Sequence, residues 1–268
     1  MIITDLDGTL LNNKNQVSRE DYQTLQQLSY KNVIRVIATG RSRYILDKVL
    51  PEDFPIDYVI LSGGSGILDW QKQKLVLTRE IESDSIQKTA KLLIEKKVDF
   101  MLHQPLPEDH YFYFHKNNHL NSDFDYRLKY YDNFHQRLDI SEALPDSASQ
   151  FVCIFPKNKY LSEDLQDSLK PLSITRATSP LDLESNWYEI RHSMATKGSA
   201  AQFLVEKLQS DIDKIVAIGN DYNDVDFLNW AQFPYVVANA PNELQQNYKT
   251  TVSNQNSAIT KVCNEMFR

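Results

Sequence analysis

Cysteine is nearly missing from this 268-residue chain, with Cys153 and Cys263 the only two. So few, so far apart, make neither a disulfide framework nor a zinc site, and a reducing cytoplasm is the expected setting. Long apolar runs are missing as well. No segment reaches the roughly 20 residues that a spanning helix needs, and no basic leader precedes an apolar signal core, so neither secretion nor membrane insertion is expected. Positive charge is the third deficit. Lys plus Arg number 29 against 36 Asp plus Glu, a net −7, which argues against nucleic acid or an anionic membrane as the main partner. A small anionic substrate stays compatible, because a site can be locally positive. Internal repeats, low-complexity tracts and long linkers are also absent.

What is present is an ordinary globular composition, 41% hydrophobic and 24% charged. The length suits two domains, each with its own core. Short β-branched runs at Ile2 to Thr4, Val33 to Thr39, Tyr58 to Leu61, Ile215 to Ile218 and Tyr235 to Val237 end in polar or glycine-rich loops, as buried parallel strands do. A helical pattern starts at Ser18, with Asp21 three residues on and Tyr22, Leu25 and Leu28 on one face. Strand, helix, strand predicts an α/β fold with a doubly wound parallel sheet, Rossmann-like in its winding.

From about Glu82 to Ile190 the pattern changes. It predicts a helix over Glu82 to Lys97, strands near Asp99 to Gln104 and His110 to His115, and a polar helix near His119 to Gln136. A strand at Gln150 to Pro156, a helix at Ser162 to Leu169, and strands at Ile174 to Thr178 and Trp187 to Arg191 follow. The doubly wound pattern resumes at Thr196, so an inserted α+β unit explains the order better than two domains in tandem. The expected division is a core of residues 1–81 and 191–268 and an insert of 82–190.

Four segments could carry chemistry. Asp5 and Asp7 flank Leu6 just after an apolar strand, and alternation puts both carboxylates near one side of its carboxyl end. Two acids there repel each other, and a hard divalent ion such as Mg²⁺ relieves the repulsion while leaving room for water and a phosphate oxygen. A plain Asp-Gly turn is the alternative. A calcium loop is excluded, since Gln16 stands where a bidentate Glu is needed. Thr39-Gly40-Arg41-Ser42 offers free N–H groups and a hydroxyl to a phosphate where a helix should start, although Thr39 could simply cap that helix. Lys197 sits at the unfavourable positive end of a helix, a broken local rule that points to function as readily as to a solvated surface lysine. Gly219-Asn220-Asp221-Tyr222-Asn223-Asp224 gathers metal- and phosphate-compatible side chains after another strand, and ligation explains it better than a polar turn. Gly63-Gly64-Ser65-Gly66 is not a dinucleotide loop, because Asp69 stands where the third glycine belongs. A flexible turn is expected there.

These segments, in this order, resemble the haloacid dehalogenase-like (HAD) superfamily, and within it the Cof-type phosphatases with a large α/β cap. Asp5-Leu6-Asp7-Gly8-Thr9-Leu10-Leu11 looks like the first motif, Thr39-Gly40-Arg41 the second, Lys197-Gly198 the third and Gly219 to Asp224 the fourth. Val237-Ala238-Asn239-Ala240-Pro241 resembles a late segment of the same enzymes. The resemblance implies a Mg²⁺-dependent phosphate-monoester hydrolase acting on sugar phosphates or similar small metabolites. Asp5 would be the nucleophile that forms an aspartyl-phosphate, and Asp7 the general acid/base. Lys197 would join them in catalysis. Leu6, Thr39, Gly40, Lys197 and Asn223 would hold the phosphoryl group. The metal ligands would come from Asp5, Asp7, Asn220 and Asp224. Asn220 stands where the family usually has Asp, which implies weaker or retuned metal binding, or Asp221 in its stead. His103, His110, Tyr113, His115 and Arg127 are the expected substrate contacts of the cap, which in this family closes over the cleft. A phosphomutase-type transferase and a non-catalytic phosphate-binding protein are the competing functions.

Overall fold

The computed structural model describes residues 1–117, 120–139, 144–178, 185–208 and 212–267. The chain divides into two compact units, one of residues 1–41, 45–78 and 196–268, the other of residues 42–44 and 79–195.

The first unit is built on a sheet whose central strand, Ile2–Asp5, is wholly buried. It runs parallel to Arg35–Ala38 on one side and Val216–Gly219 on the other. The order across the sheet is Lys249–Thr250, Phe233–Val236, Val216–Gly219, Ile2–Asp5, Arg35–Ala38, Tyr58–Leu61, Gly66–Asp69, Lys74–Thr78. The first six strands are parallel and the last two form an antiparallel extension. A parallel strand covered on both faces is buried without alternation, as Val216–Gly219 and Arg35–Ala38 are, the charge of Arg35 being met by Asp57. Register aligns the strand ends: Asp5 pairs with Ala38, and Thr4 with Ile218. Asp5, Thr39 and Asn220 therefore emerge together at the carboxyl edge, where winding leaves a crevice.

The helix Arg19–Tyr30 begins as its pattern predicts, with Ser18 Oγ accepting from Asp21 N–H. Asp21, however, does not complete a reciprocal cap. Its buried carboxylate takes two hydrogen bonds from Thr260, 2.8 Å from the amide and 2.9 Å from the hydroxyl, tying this helix to the C-terminal helix Ala258–Met266. The turn expected to be flexible at Gly63 is in fact buried. Gly63 and Gly64 have φ of 66° and 108°, and a Cβ on Gly64 would lie 2.2 Å from the Thr196 carbonyl oxygen. Glycine is needed there for close packing as well as for φ.

The second unit carries a sheet ordered Ser173–Thr178, Asn186–Arg191, Gln150–Phe155, Phe100–His103, Phe112–His115, His135–Arg137. One face packs Phe100, Leu102, Phe151, Cys153, Tyr188 and Ile190 with residues of the helices Ser83–Glu95 and Glu163–Ser168. The helix expected over His119 to Gln136 is shorter. Asn121 caps it through Phe124 N–H, it runs Ser122–Tyr130, and His135–Arg137 has joined the sheet edge in parallel with Phe112–His115. Aromatic and β-compatible residues after Tyr130 find a partner strand, which overrides helical spacing. His119 lies outside the described residues.

Candidate active site

Asp5 is the last residue of the central strand and only 5% exposed. Leu6 follows with its side chain fully buried in the core, so only its backbone is placed to meet a ligand. Gly8 then turns the chain at φ 75°, and its Cβ, if present, would lie 2.7 Å from Asn220 Nδ2. The Leu11 N–H donates to the Leu6 carbonyl at 2.8 Å and closes the loop. Asn239 Nδ2 donates to the Gly8 carbonyl at 2.9 Å while its Oδ1 accepts from Asn254 N–H. The late Asn-Ala-Pro segment thus fastens the loop that carries both acids.

Lys197 opens the helix Lys197–Leu208 and is 2% exposed, so it is no surface lysine. Its Nζ lies 2.7 Å from Asp5 Oδ1 and 2.6 Å from Asp224 Oδ1. Burial works against its charge, but the carboxylates of Asp224 and Asp5 outweigh that and hold its pKa above the ordinary value. The same carboxylates offset the helix's positive end. Asp226 Oδ2 accepts from Gly198 N–H at 2.7 Å and so anchors the first turn. Asp226 is a positioning residue that spacing alone did not single out, since nothing in its sequence context separates it from the other acids of its run.

Asp224 is fully buried and both its oxygens are engaged. Oδ1 receives Lys197, and Oδ2 accepts from Asn220 N–H at 2.8 Å and Asp221 N–H at 3.1 Å. Asp224, expected among the metal ligands, thus shapes the turn and holds the lysine. Asp221 accepts from Tyr222 N–H at 2.7 Å as the cap of the short turn Tyr222–Asp224 and is exposed. Asn223 is exposed on that turn.

Asp5 carries the electrostatic cost of this arrangement. Desolvation first, then the Asp224 charge, push its pKa up to about 7, and Lys197 only partly opposes them. Asp7 differs: its side chain is 49% exposed and pairs with Arg41, whose Nε is 2.8 Å from Oδ2 and whose Nη2 is 2.5 Å from Oδ1. The arginine of Thr-Gly-Arg had no role assigned from the sequence, and this bidentate grip supplies one. Thr39 is fully buried, its Oγ1 accepting from Arg41 N–H at 3.1 Å. Gly40 is exposed, and a Cβ there would meet no atom within 4 Å, so the backbone beside Thr39 is open to a ligand.

Asn220 faces the acids from the neighbouring strand end. One terminal atom of its amide lies 3.1 Å from Asp5 Oδ2, 3.1 Å from the Asp7 carbonyl oxygen and 3.2 Å from Thr9 Oγ1. With oxygen at that atom, the amide sits beside two acceptors, an arrangement that suits a shared cation. Octahedral Mg²⁺, about 2.0–2.1 Å from each ligand, holds neighbouring oxygens roughly 2.9–3.0 Å apart. Asp5 Oδ2, the Asp7 carbonyl and Asn220 Oδ1 therefore fit Mg²⁺.

The expected cap residues have neighbours within their own unit. His103 is 3% exposed, its Nδ1 is 2.7 Å from the Asp109 carbonyl, and burial followed by the nearby Arg127 charge lowers its pKa to about 3. It stays neutral inside the unit. Arg127 lies over the rings of Trp187 and Tyr131, at 4.7 and 5.1 Å. His110 stacks on Tyr44 at 4.5 Å and His115 on Phe100 at 5.5 Å. Tyr113 is half-buried against the helix-covered core and lines a groove of about 530 Å³ with Gln104, Glu108, Tyr111 and Phe134.

A buried acid–lysine–acid cluster at the carboxyl ends of a doubly wound parallel sheet, beside an open strand-end loop, defines a hydrolytic α/β enzyme. The chain belongs to the haloacid dehalogenase-like hydrolase family, whose model matches residues 2–262. YxeH of Bacillus subtilis (strain 168), which carries a provisional phosphatase name, is 25% identical, with 95% of this chain and 94% of YxeH aligned. Among solved structures, BT1666 from Bacteroides thetaiotaomicron, a phosphatase of the HAD superfamily, is similar with a TM-score of 0.78 at 21% identity, covering 98% of this chain and 93% of its own. The HAD subclass IIB sugar phosphatase BT4131 matches with a TM-score of 0.76 at 16% identity, over 98% and 97%. Within this family the chain is a phosphatase hydrolase.

Proposed function

We propose that the protein hydrolyses phosphate monoesters of small metabolites, sugar phosphates foremost, through an aspartyl-phosphate on Asp5. The observation that carries this reading is the placement of Asp5: buried at a strand end, gripped on one oxygen by Lys197, with its other oxygen turned toward Asn220. Asp224, by contrast, has its second oxygen held by two backbone amides.

In the first step an Asp5 oxygen attacks phosphorus, the bond from phosphorus to the leaving oxygen breaks, and Asp7 delivers its proton to that oxygen. In the second, Asp7 takes a proton from water as the water oxygen attacks phosphorus, releasing phosphate and restoring the Asp5 carboxylate. Lys197 neutralises charge on the transferring group, and the backbone amides of Leu6 and Gly40 with the Thr39 hydroxyl are the candidate donors to its oxygens. Asn223 is assigned to the same cradle. Mg²⁺ would be held by the Asp5 carboxylate, the Asp7 main-chain carbonyl and Asn220 Oδ1, and when bound it supplies charge neutralisation for nucleophile and phosphate together.

We assign the core to residues 1–81 and 191–268 and the cap to 82–190. The sugar phosphatase likeness of BT4131 and the small, open strand-end site support the substrate class. Two free, buried cysteines suit a cytoplasmic setting. The test is release of inorganic phosphate from p-nitrophenyl phosphate and a panel of sugar phosphates at varied Mg²⁺. Turnover that depends on Asp5 supports the reading; no turnover on any of them, or transfer to a second sugar hydroxyl without phosphate release, contradicts it.

A further inference from the structure

The Asn220 amide has two terminal atoms of nearly equal size and opposite chemistry, an acceptor and a double donor. The atom facing the cluster lies 3.1 Å from Asp5 Oδ2 and 3.1 Å from the Asp7 carbonyl, hydrogen-bond distance in both cases. With Oδ1 inward it meets two acceptors at close range, relieved only by its bond from Thr9 Oγ1 at 3.2 Å. With Nδ2 inward, its two N–H groups satisfy Asp5 Oδ2 and the Asp7 carbonyl. A buried acceptor left without a donor is costly, so the cluster on its own favours nitrogen inward.

We propose that the Asn220 amide is a two-position element that plugs its own metal site: Nδ2 turned inward stands in for the cation, and Oδ1 turned inward becomes a neutral ligand to one. A carboxylate at this position could not do the first. Asp5 and Asp224 already share the single ammonium of Lys197 while Asp7 pairs with Arg41, which leaves one uncompensated negative charge. Another would deepen that imbalance and make the empty site dependent on metal. Asparagine avoids this, and binding of a divalent ion then has to displace two hydrogen bonds and turn the amide over. The site consequently tolerates loss of its ion and binds it weakly.

The inference takes the position of the ion from the proposed function, but its readouts involve no phosphorylated substrate. The chelator-treated full chain and its Asn220→Asp variant are compared in thermal unfolding and Mg²⁺ calorimetry. Metal-free Asn220→Asp is expected to melt at least ~3 °C below wild type, to bind Mg²⁺ about tenfold tighter or better, and to gain more in melting temperature when Mg²⁺ is added. Equal metal-free stability, or equal Mg²⁺ shifts in the two proteins, overturns the proposal. Should Asn220→Asp fold only with Mg²⁺, the proposal stands. Should it fold in neither condition, Asn220→Ala decides: it removes both positions, so it must melt below wild type without metal and also bind Mg²⁺ more weakly. In wild type, the side-chain NH₂ resonances of Asn220 must move on Mg²⁺ saturation; resonances that stay fixed while Mg²⁺ binds elsewhere in the cluster overturn the two-position account. Failure here leaves the phosphatase reading intact, since that reading is decided by turnover and its loss in Asp5→Asn.

Discussion

Both units bury carboxylates, and the company each keeps is different. In the second unit, Asp99 takes hydrogen bonds from the Asn117 backbone and side chain and from Asn121 Nδ2, and Asp123 accepts from the Trp187 indole at 2.5 Å. These donors are fixed parts of neighbouring loops and strands, so each bond ties one element to another. In the first unit, Asp5 and Asp224 divide one lysine between them. Asp224 is then completed by two backbone amides, whereas Asp5 is left with its second oxygen toward Asn220 and a pKa pushed up to about 7. Burial alone does not mark a reactive acid. A shared counter-charge and a second oxygen turned toward an invertible side-chain amide do.

That contrast yields predictions of falling size. Replacing Asp5 by Asn is expected to lower kcat by at least about 10³-fold, whereas Asp99→Asn is expected to lower stability and leave kcat of the folded fraction near wild type; steady-state kinetics beside urea unfolding separates them. Lys197→Ala comes next. It leaves two buried carboxylates without their ammonium, an expected stability loss of about 3–5 kcal/mol, with kcat down by about 10²–10³. If unfolding midpoints barely move, the lysine is not the counter-charge described here. Trp187→Phe keeps the ring and removes one bond to a carboxylate, so about 1.5–3 kcal/mol of stability and no catalytic effect are expected, read from chemical denaturation and turnover together.

The effect that is smallest near neutral pH concerns titration. His103 has its pKa lowered from 6.5 to about 3 by burial first and Arg127 next, so the unfolded chain binds a proton that the folded one refuses. Its contribution to stability is complete above pH 6.5 and is lost as pH falls from there toward 3, by at most about 1.4 kcal/mol per unit. His103→Gln should flatten that part of the stability curve without moving the pH dependence of kcat. A shifted kinetic profile would instead make His103 part of the chemistry.

Much of this was legible beforehand because the strongest signals are local. Continuous β-branched runs ended where Asp5, Thr39 and Gly219 stand, and parallel strands with short connections leave such ends side by side. Lys197 announced itself by sitting against the helix dipole, and its two carboxylate partners explain the anomaly. What escaped was long-range pairing. Arg41 with Asp7, Asp226 with Gly198 and Asn239 with Gly8 join residues 28 to 231 positions apart, and no spacing rule reaches that far. The amides that hold Asp224 were hidden as well, because an acid in a polar turn looks free until the turn's own backbone is seen to meet it. The buried Gly63 turn and the His135–Arg137 strand were missed for a related reason, since packing partners rather than local propensity decided both.

The central claim is that Asp5 forms a covalent bond to phosphorus. Asp7→Asn with p-nitrophenyl phosphate tests it most directly, because p-nitrophenolate leaves without needing a proton while hydrolysis of the intermediate then lacks its base. Quenching during turnover, reducing with borohydride and sequencing the N-terminal peptide by mass spectrometry should find homoserine at position 5, the product expected from an aspartyl-phosphate. An unmodified Asp5 peptide, recovered while p-nitrophenol is released in amounts matching the enzyme, would contradict the account.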